Sequence, residues 1–166
     1  MLCAAGEPPP RKPGNRAREA SLTSLADAVP ILVVDDDPNF RLAVSRAVAS
    51  LPFRPYSVPT AAAALRFLAQ APPFADAPRP AFIVLDFNLP DLNAPAVLAD
   101  LRTDPAVRAI PVLVLTQIPG AADERAALDA GAQAYHAKPS RAAALRELLL
   151  NFWRTHAGPH GDPDRR

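Results

Sequence analysis

The chain has 166 residues, 49% hydrophobic and 21% charged, with a formal net charge of +1. That is enough for one domain with a sizeable core, and the composition is globular rather than collagenous or wholly disordered. The balanced charge gives no field toward nucleic acid or an anionic membrane. The single cysteine, Cys3, excludes a disulfide framework or thiolate metal centre, and no apolar run is long enough to span a membrane, so a cytoplasmic location is the default expectation.

Residues 1–28 are rich in Pro, Arg, Gly and Ala without hydrophobic periodicity and read as a disordered arm. Residues 157–166 read as a second such tail, which leaves 29–156 as the folded domain. Within it the pattern alternates. Ile31 to Val34 is apolar throughout, as a strand covered on both faces should be. Asp37 and Pro38 are an N-cap and a first-turn residue for a helix whose face is Phe40, Val44, Ala47, Val48 and Leu51. Phe53 to Val58 is a strand that Pro55 confines to a sheet edge, since proline lacks the ladder donor. Thr60 caps a helix facing inward through Leu65, Leu68 and Ala69.

After a Pro-rich loop, residues 81–85 form a buried strand, and Asn93 caps a helix with Val97, Leu98 and Leu101 inward. Val112 to Leu115 is a fourth strand. A helix near 121–130 stops at Gly131, strand five runs near 133–137, and Ser140 caps a last helix facing inward through Leu145, Leu148, Leu149 and Phe152. Five βα units with short loops predict an α/β fold: a doubly wound five-stranded parallel sheet in the order 2-1-3-4-5, with helices on both faces.

In such a sheet every strand ends on one edge, and ligands of open α/β sheets bind there. The apolar runs end in Asp35-Asp36-Asp37, in Asp86, in Thr116 and in Lys138-Pro139. Carboxylates there suit Mg²⁺, a hard ion that takes one or two carboxylates and fills its octahedron with other oxygens. A carboxylate can also accept a phosphoryl group. Asp86 as nucleophile, Mg²⁺ and Lys138 as neutralising cations and the Thr116 hydroxyl as donor meet the needs of phosphoryl transfer. Each signal alone is weak: an acidic triplet is often a solvated turn, and a Lys-Pro usually a loop end. Four in this order are specific.

The segments Ile31-Leu-Val-Val-Asp-Asp-Asp-Pro38, Val84-Leu-Asp-Phe-Asn-Leu-Pro90, Val114-Leu-Thr116 and Gly131-Ala-Gln-Ala-Tyr-His-Ala-Lys-Pro139 resemble the receiver domain of two-component response regulators (a CheY-like fold) over roughly residues 30–154. The resemblance implies that Asp86 is phosphorylated by a histidine kinase, that Asp36 binds Mg²⁺ directly and Asp35 largely through water, and that Asn88 offers its backbone carbonyl. It implies that Thr116 and Lys138 hold the phosphoryl oxygens, and that Tyr135 is an aromatic switch residue altering the surface formed by the helix near 121–130, the fifth strand and the last helix. Such a protein is a phosphoacceptor rather than an enzyme with a separate substrate.

A narrower resemblance, through Phe74-Ala-Asp-Ala-Pro-Arg-Pro80, Asp104-Pro-Ala-Val-Arg-Ala-Ile-Pro-Val112 and Asn151-Phe-Trp153, is to stand-alone receivers that partner phytochrome-type kinases. It implies a downstream protein partner and a homodimer through the end of the domain that holds the fourth strand and the last helix. Three residues depart from the family pattern. Ala94 follows Asn93 where Gly is usual, although Ala does not readily take positive φ. Gln117 stands where a small residue borders the phosphate, and Ile118 where a polar one is common. The last two predict slow dephosphorylation. Two readings compete: a receiver-fold adaptor that works without phosphorylation, and a haloacid-dehalogenase-type phosphohydrolase using Asp35. The second lacks further metal-binding carboxylates after Lys138, since the next acidic residues are Glu147, inside a helix, and Asp162.

Overall fold

The computed structural model describes residues 28–158. The arm expected over 1–28 and the tail expected over 157–166 lie almost entirely outside those residues. The elements run β1 (Val29–Val34), α1 (Pro38–Val48), β2 (Phe53–Val58), α2 (Ala61–Leu68), β3 (Phe82–Asp86), α3 (Ala94–Thr103), β4 (Val112–Thr116), α4 (Ala121–Asp129), β5 (Ala134–Ala137) and α5 (Ala142–His156). All strand pairs are parallel and the sheet order is β2-β1-β3-β4-β5, the doubly wound order that the βα alternation predicts.

Side chains alternate along a strand, and this divides the interior in two. Leu32, Val34, Ile83, Leu85, Val112 and Val114 face α2, α3 and α4. Ile31, Val33, Phe82, Val84, Leu113 and Leu115 face α1 and α5. Both sets are buried, which is why the three central strands read as continuous apolar runs. The alternation continues to the strand ends: Asp35 follows Ile31 and Val33 in phase, and Asp86 follows Phe82 and Val84. Both carboxylates therefore leave the sheet toward the α1–α5 side.

Pro55 lies on the edge strand, as its missing donor requires. The Val29 N–H donates to the Pro52 carbonyl and the Asp35 N–H to the Val58 carbonyl, so the even-numbered residues of β2 face β1. Pro55, in the opposite phase, faces outward and leaves no gap in the ladder.

The helix ends follow local chemistry. Asp37 accepts the Asn39 N–H, Thr60 the Ala63 N–H and Asn93 the Ala96 N–H, each an N-cap expected from the sequence. Gly131 has φ of 103° and ends α4 with two bonds, its own N–H to Leu128 and the Ala132 N–H to Ala127. A Cβ at Gly131 would also fall 2.7 Å from Nε of Arg102, whose guanidinium donates to the carbonyls of Gly131 and Arg108.

Three local expectations need correction. The inward face of α2 is Ala61, Ala64, Phe67 and Leu68; Leu65 is only half-buried and Ala69 is exposed. Phe67 takes the central place because it packs between Tyr56 and Phe74, a cluster the helix's own periodicity does not contain. Ser140 is not the cap of α5: the first helical bond runs from Leu145 N–H to the Arg141 carbonyl, so Arg141 is the N-cap and no side chain caps it. Asn93 and Ala94 need no positive φ; Asn93 sits at φ −83°, and Ala94 opens α3 fully buried. No helix of the described residues is long and apolar enough to cross a membrane.

Candidate functional site

The sheet topology brings Asp35, Asp86, Thr116 and Lys138 to one edge. Asp35 follows β1, Asp86 and Thr116 end β3 and β4, and Lys138 follows β5. The Lys138 N–H donates to the Thr116 carbonyl at 2.7 Å, carrying the β4–β5 ladder one step further and fixing where the lysine leaves the backbone. Its ammonium reaches back over two strands. Nζ lies 2.7 Å from Oδ2 of Asp35 and 2.7 Å from Oδ1 of Asp86. The ring of Phe40, from the first turn of α1, lies 4.7 Å from the same Nζ and supports it by a cation–π contact.

The three polar residues of this centre are buried: Asp35 is 1% exposed, Asp86 6% and Thr116 2%. Each remaining carboxylate oxygen has a backbone donor. Oδ1 of Asp35 accepts the Asp37 N–H at 3.0 Å, and Oδ2 of Asp86 accepts the Asn88 N–H at 3.1 Å. Burial pushes the Asp35 carboxyl above the ordinary carboxylate range; the Lys138 ammonium and the Asp37 N–H pull the other way without overcoming it, and Asp86 adds to the rise. Burial also pulls the Lys138 ammonium down, but two carboxylates outweigh it, so its pKa is raised and the cation is held.

One ammonium serving two carboxylates leaves negative charge at this edge, with Asp36 adjoining it. Asp36 is exposed and is not drawn into the cluster. Among the described residues no three His, Cys, Asp or Glu side chains gather closely enough to hold a metal by themselves, so the expected trio of Asp35, Asp36 and Asp86 is not assembled as such. The donor chemistry still fits Mg²⁺. Every donor is a hard oxygen, the local charge is negative, and magnesium asks for few carboxylates. Asn88, exposed on the loop after β3, is tied to the same centre by its N–H on Oδ2 of Asp86.

The Thr116 hydroxyl donates to the Ile118 carbonyl at 3.3 Å, within its own loop. The Tyr135 ring is buried, edge-on to Phe87 at 5.9 Å, and its hydroxyl accepts the Gly120 N–H at 3.3 Å. Phe87 is the residue after Asp86, so the aromatic pair joins the acidic centre to the start of α4. Gln117 and Ile118 are exposed, Ile118 at 82%.

Two supporting residues were not singled out from sequence. Arg41 donates to the carbonyls of Asp35 at 2.6 Å and Asp36 at 3.0 Å, bracing the acidic turn. Its place one turn into α1 was a weak signal that it points back to the strand end. Asp91 accepts the N–H groups of Ala61 at 3.0 Å and Ala62 at 2.9 Å. The slight desolvation of this exposed side chain raises its carboxyl, but backbone N–H groups, those of Ala62 and Ala61 foremost, outweigh it and hold the pKa below the ordinary value. No local signal marks it, because its partners are 30 and 29 residues away.

Residues 31–150 match the response regulator receiver domain family, and the chain belongs to that family. It is 34% identical over 109 residues to the transcriptional regulatory protein KdpE of Mycobacterium tuberculosis, covering 66% of this chain and 44% of KdpE. It is 44% identical over 54 residues to the response regulator Rcp1 of Synechocystis, covering 32% of this chain and 37% of Rcp1. The chain thus spans less than half the length of these two relatives. Among solved structures it resembles the Mn²⁺-bound form of Rcp1, with a TM-score of 0.68, 26% identity and coverage of 79% of this chain and 96% of that one. It also resembles the phosphorylated cyanobacterial phytochrome response regulator RcpA, with a TM-score of 0.68, 27% identity and coverage of 76% and 91%. The chain therefore carries the receiver domain of a two-component response regulator.

Proposed function

We propose that the chain works as a stand-alone receiver, phosphorylated on Asp86 with Mg²⁺ bound by Asp36, Asp35, Asp86 and the Asn88 carbonyl. The observation that carries this reading is the single ammonium of Lys138 set 2.7 Å from both Asp35 and Asp86 at adjoining strand ends. Such a centre binds a group that brings negative charge at Asp86 and a cation beside it. When bound, the metal neutralises phosphoryl oxygens. A carboxylate oxygen of Asp86 attacks the phosphorus of a phosphohistidine; the new O–P bond forms as the P–N bond breaks, and the electron pair leaves with the imidazole. Lys138, already protonated and fixed by Phe40, meets the arriving charge without reorganising.

The added charge and acceptors draw the Thr116 hydroxyl away from the Ile118 carbonyl. That loop also carries Gly120, which Tyr135 holds, so a shift at Thr116 is felt at the α4–β5–α5 surface, where a downstream protein or a second copy reads it. RcpA and Rcp1 support the stand-alone reading, since the match takes in 91% and 96% of those chains. RcpA's description as a phytochrome response regulator supports a phytochrome-type kinase as partner.

The test is intact mass after incubation with acetyl phosphate and Mg²⁺. A single phosphoryl adduct that needs Mg²⁺ and is lost in Asp86→Asn is the expected result. An adduct that survives this change would point to Asp35 and a hydrolase. No adduct, even from histidine-kinase donors, would favour an adaptor that works without phosphorylation.

A further inference from the structure

The loop between β3 and α3 is closed at its base by backbone. The Ala94 N–H donates to the Phe87 carbonyl at 2.9 Å, and Asn88 and Asn93 form an antiparallel bridge. Leu89 is buried beneath it, while the tip, residues 90–92, is exposed. From that tip Asp91 reaches across to α2, one carboxylate oxygen on the Ala61 N–H and the other on the Ala62 N–H. The Thr60 hydroxyl takes the Ala63 N–H at 3.2 Å and the Thr60 carbonyl takes the Ala64 N–H at 3.1 Å. The three N–H groups of this helix that precede its first internal bond, those of Ala61, Ala62 and Ala63, are thus all satisfied, two of them by the loop that follows the acceptor aspartate. An exposed helix end can leave such donors to water. What the distant carboxylate adds is a fixed separation between two loops on the ligand-binding edge of the sheet.

We propose that Asp91 is a positioning residue of the phosphoacceptor site: its grip on the first turn of α2 fixes the loop over 87–93 and so holds the Asn88 peptide against Asp86. This rests on the reading of Asp86 as acceptor and of the Asn88 carbonyl as a metal ligand. The geometry makes the link direct. The Asn88 N–H donates to Oδ2 of Asp86 at 3.1 Å, and the Asn88 carbonyl belongs to the next peptide unit of the same loop, so a displacement of residue 88 strains the bond to the acceptor and moves the carbonyl expected at the metal together.

The experiment uses ¹⁵N-labelled full-length protein as wild type, Asp91→Ala, Asp91→Asn and Thr60→Ala. It reads amide exchange in the metal-free state and Mg²⁺ affinity from chemical-shift titration. In Asp91→Ala, exchange is expected to quicken at Ala61, Ala62 and also Asn88, and the Mg²⁺ Kd to rise several-fold. Asp91→Asn keeps one acceptor oxygen and should fall between. Thr60→Ala weakens the same helix end without touching the loop and should leave Asn88 and the Kd unmoved. Quickened exchange confined to Ala61 and Ala62 in Asp91→Ala, with an unchanged Kd, would overturn the proposal. So would a Thr60→Ala variant that disturbs Asn88 as much as Asp91→Ala does. A wild type showing no Mg²⁺-dependent shifts would count against the phosphoacceptor reading instead, and Asn88 exchange alone would then decide the role of Asp91.

Discussion

Lys138 is the side chain on which the acidic centre depends. It is the cation paired with two buried carboxylates, and removing one partner of such a set costs far more than the set contributes as a whole. Lys138→Met keeps the stem that packs on Phe40 and deletes the charge. Without Mg²⁺ we expect it to lower stability by about 3 kcal/mol near neutral pH. The sign with pH follows from Asp35: burial already holds its folded-state pKa above the ordinary value, and loss of the ammonium raises it further. The penalty is therefore full above that raised value and fades as the pH falls through it and Asp35 takes up its proton. Urea unfolding of wild type and variant at neutral and mildly acidic pH checks this, and a penalty that grew on acidification would refute it. Gln117, exposed next to Thr116, predicts a phosphorylated form that decays over minutes rather than seconds, and faster decay in Gln117→Ala; loss of the mass adduct with time measures both. Of the site residues, Asp35, Asp86, Thr116 and Lys138 were legible because each ends an apolar run, and a parallel sheet collects such ends. Arg41 and Asp91 were not, because both act on backbone groups: the place of Arg41 one turn into α1 is only a weak signal, and nothing local marks Asp91.

Among the elements, α4 is held most lightly. It buries only Ala127, and no side chain caps its start, whereas α1, α2 and α3 each bury four residues and carry a side-chain cap. Local opening follows buried apolar contact, so amide exchange in α4 is expected to be the fastest of the five helices. Protection in α4 equal to that of α3 would contradict this. The light packing also lets the Thr116 loop move α4 at small cost. Its far end is held more firmly, by Arg102 lying over Gly131. Sequence periodicity placed every strand and helix, and the edge position of β2 followed from Pro55. It misassigned the inward face of α2 because Phe67 is chosen by Tyr56 and Phe74, which lie on other elements. It misplaced the start of α5 because a serine signals a cap only if the first turn begins beside it.

At the scale of the whole molecule, a metal that binds the folded chain alone stabilises all of it. At a hundred times its Kd, Mg²⁺ is expected to add about 2.7 kcal/mol, or roughly 5–10 °C in Tm for a domain of this size. Thermal melting at constant ionic strength measures the shift, which should vanish in a double variant with Asp36→Asn and Asp86→Asn. The placement of Pro55 has a consequence at this scale too. On the outer flank of β2 its ring removes the middle donor from the row that an incoming strand would need, and the opposite flank, β5, offers only four residues. A β-augmenting peptide, or an unfolded neighbour seeking a template for cross-β growth, meets an interrupted row on one side and a short one on the other. Neither flank of the sheet thus offers a second chain a long unbroken row of backbone donors.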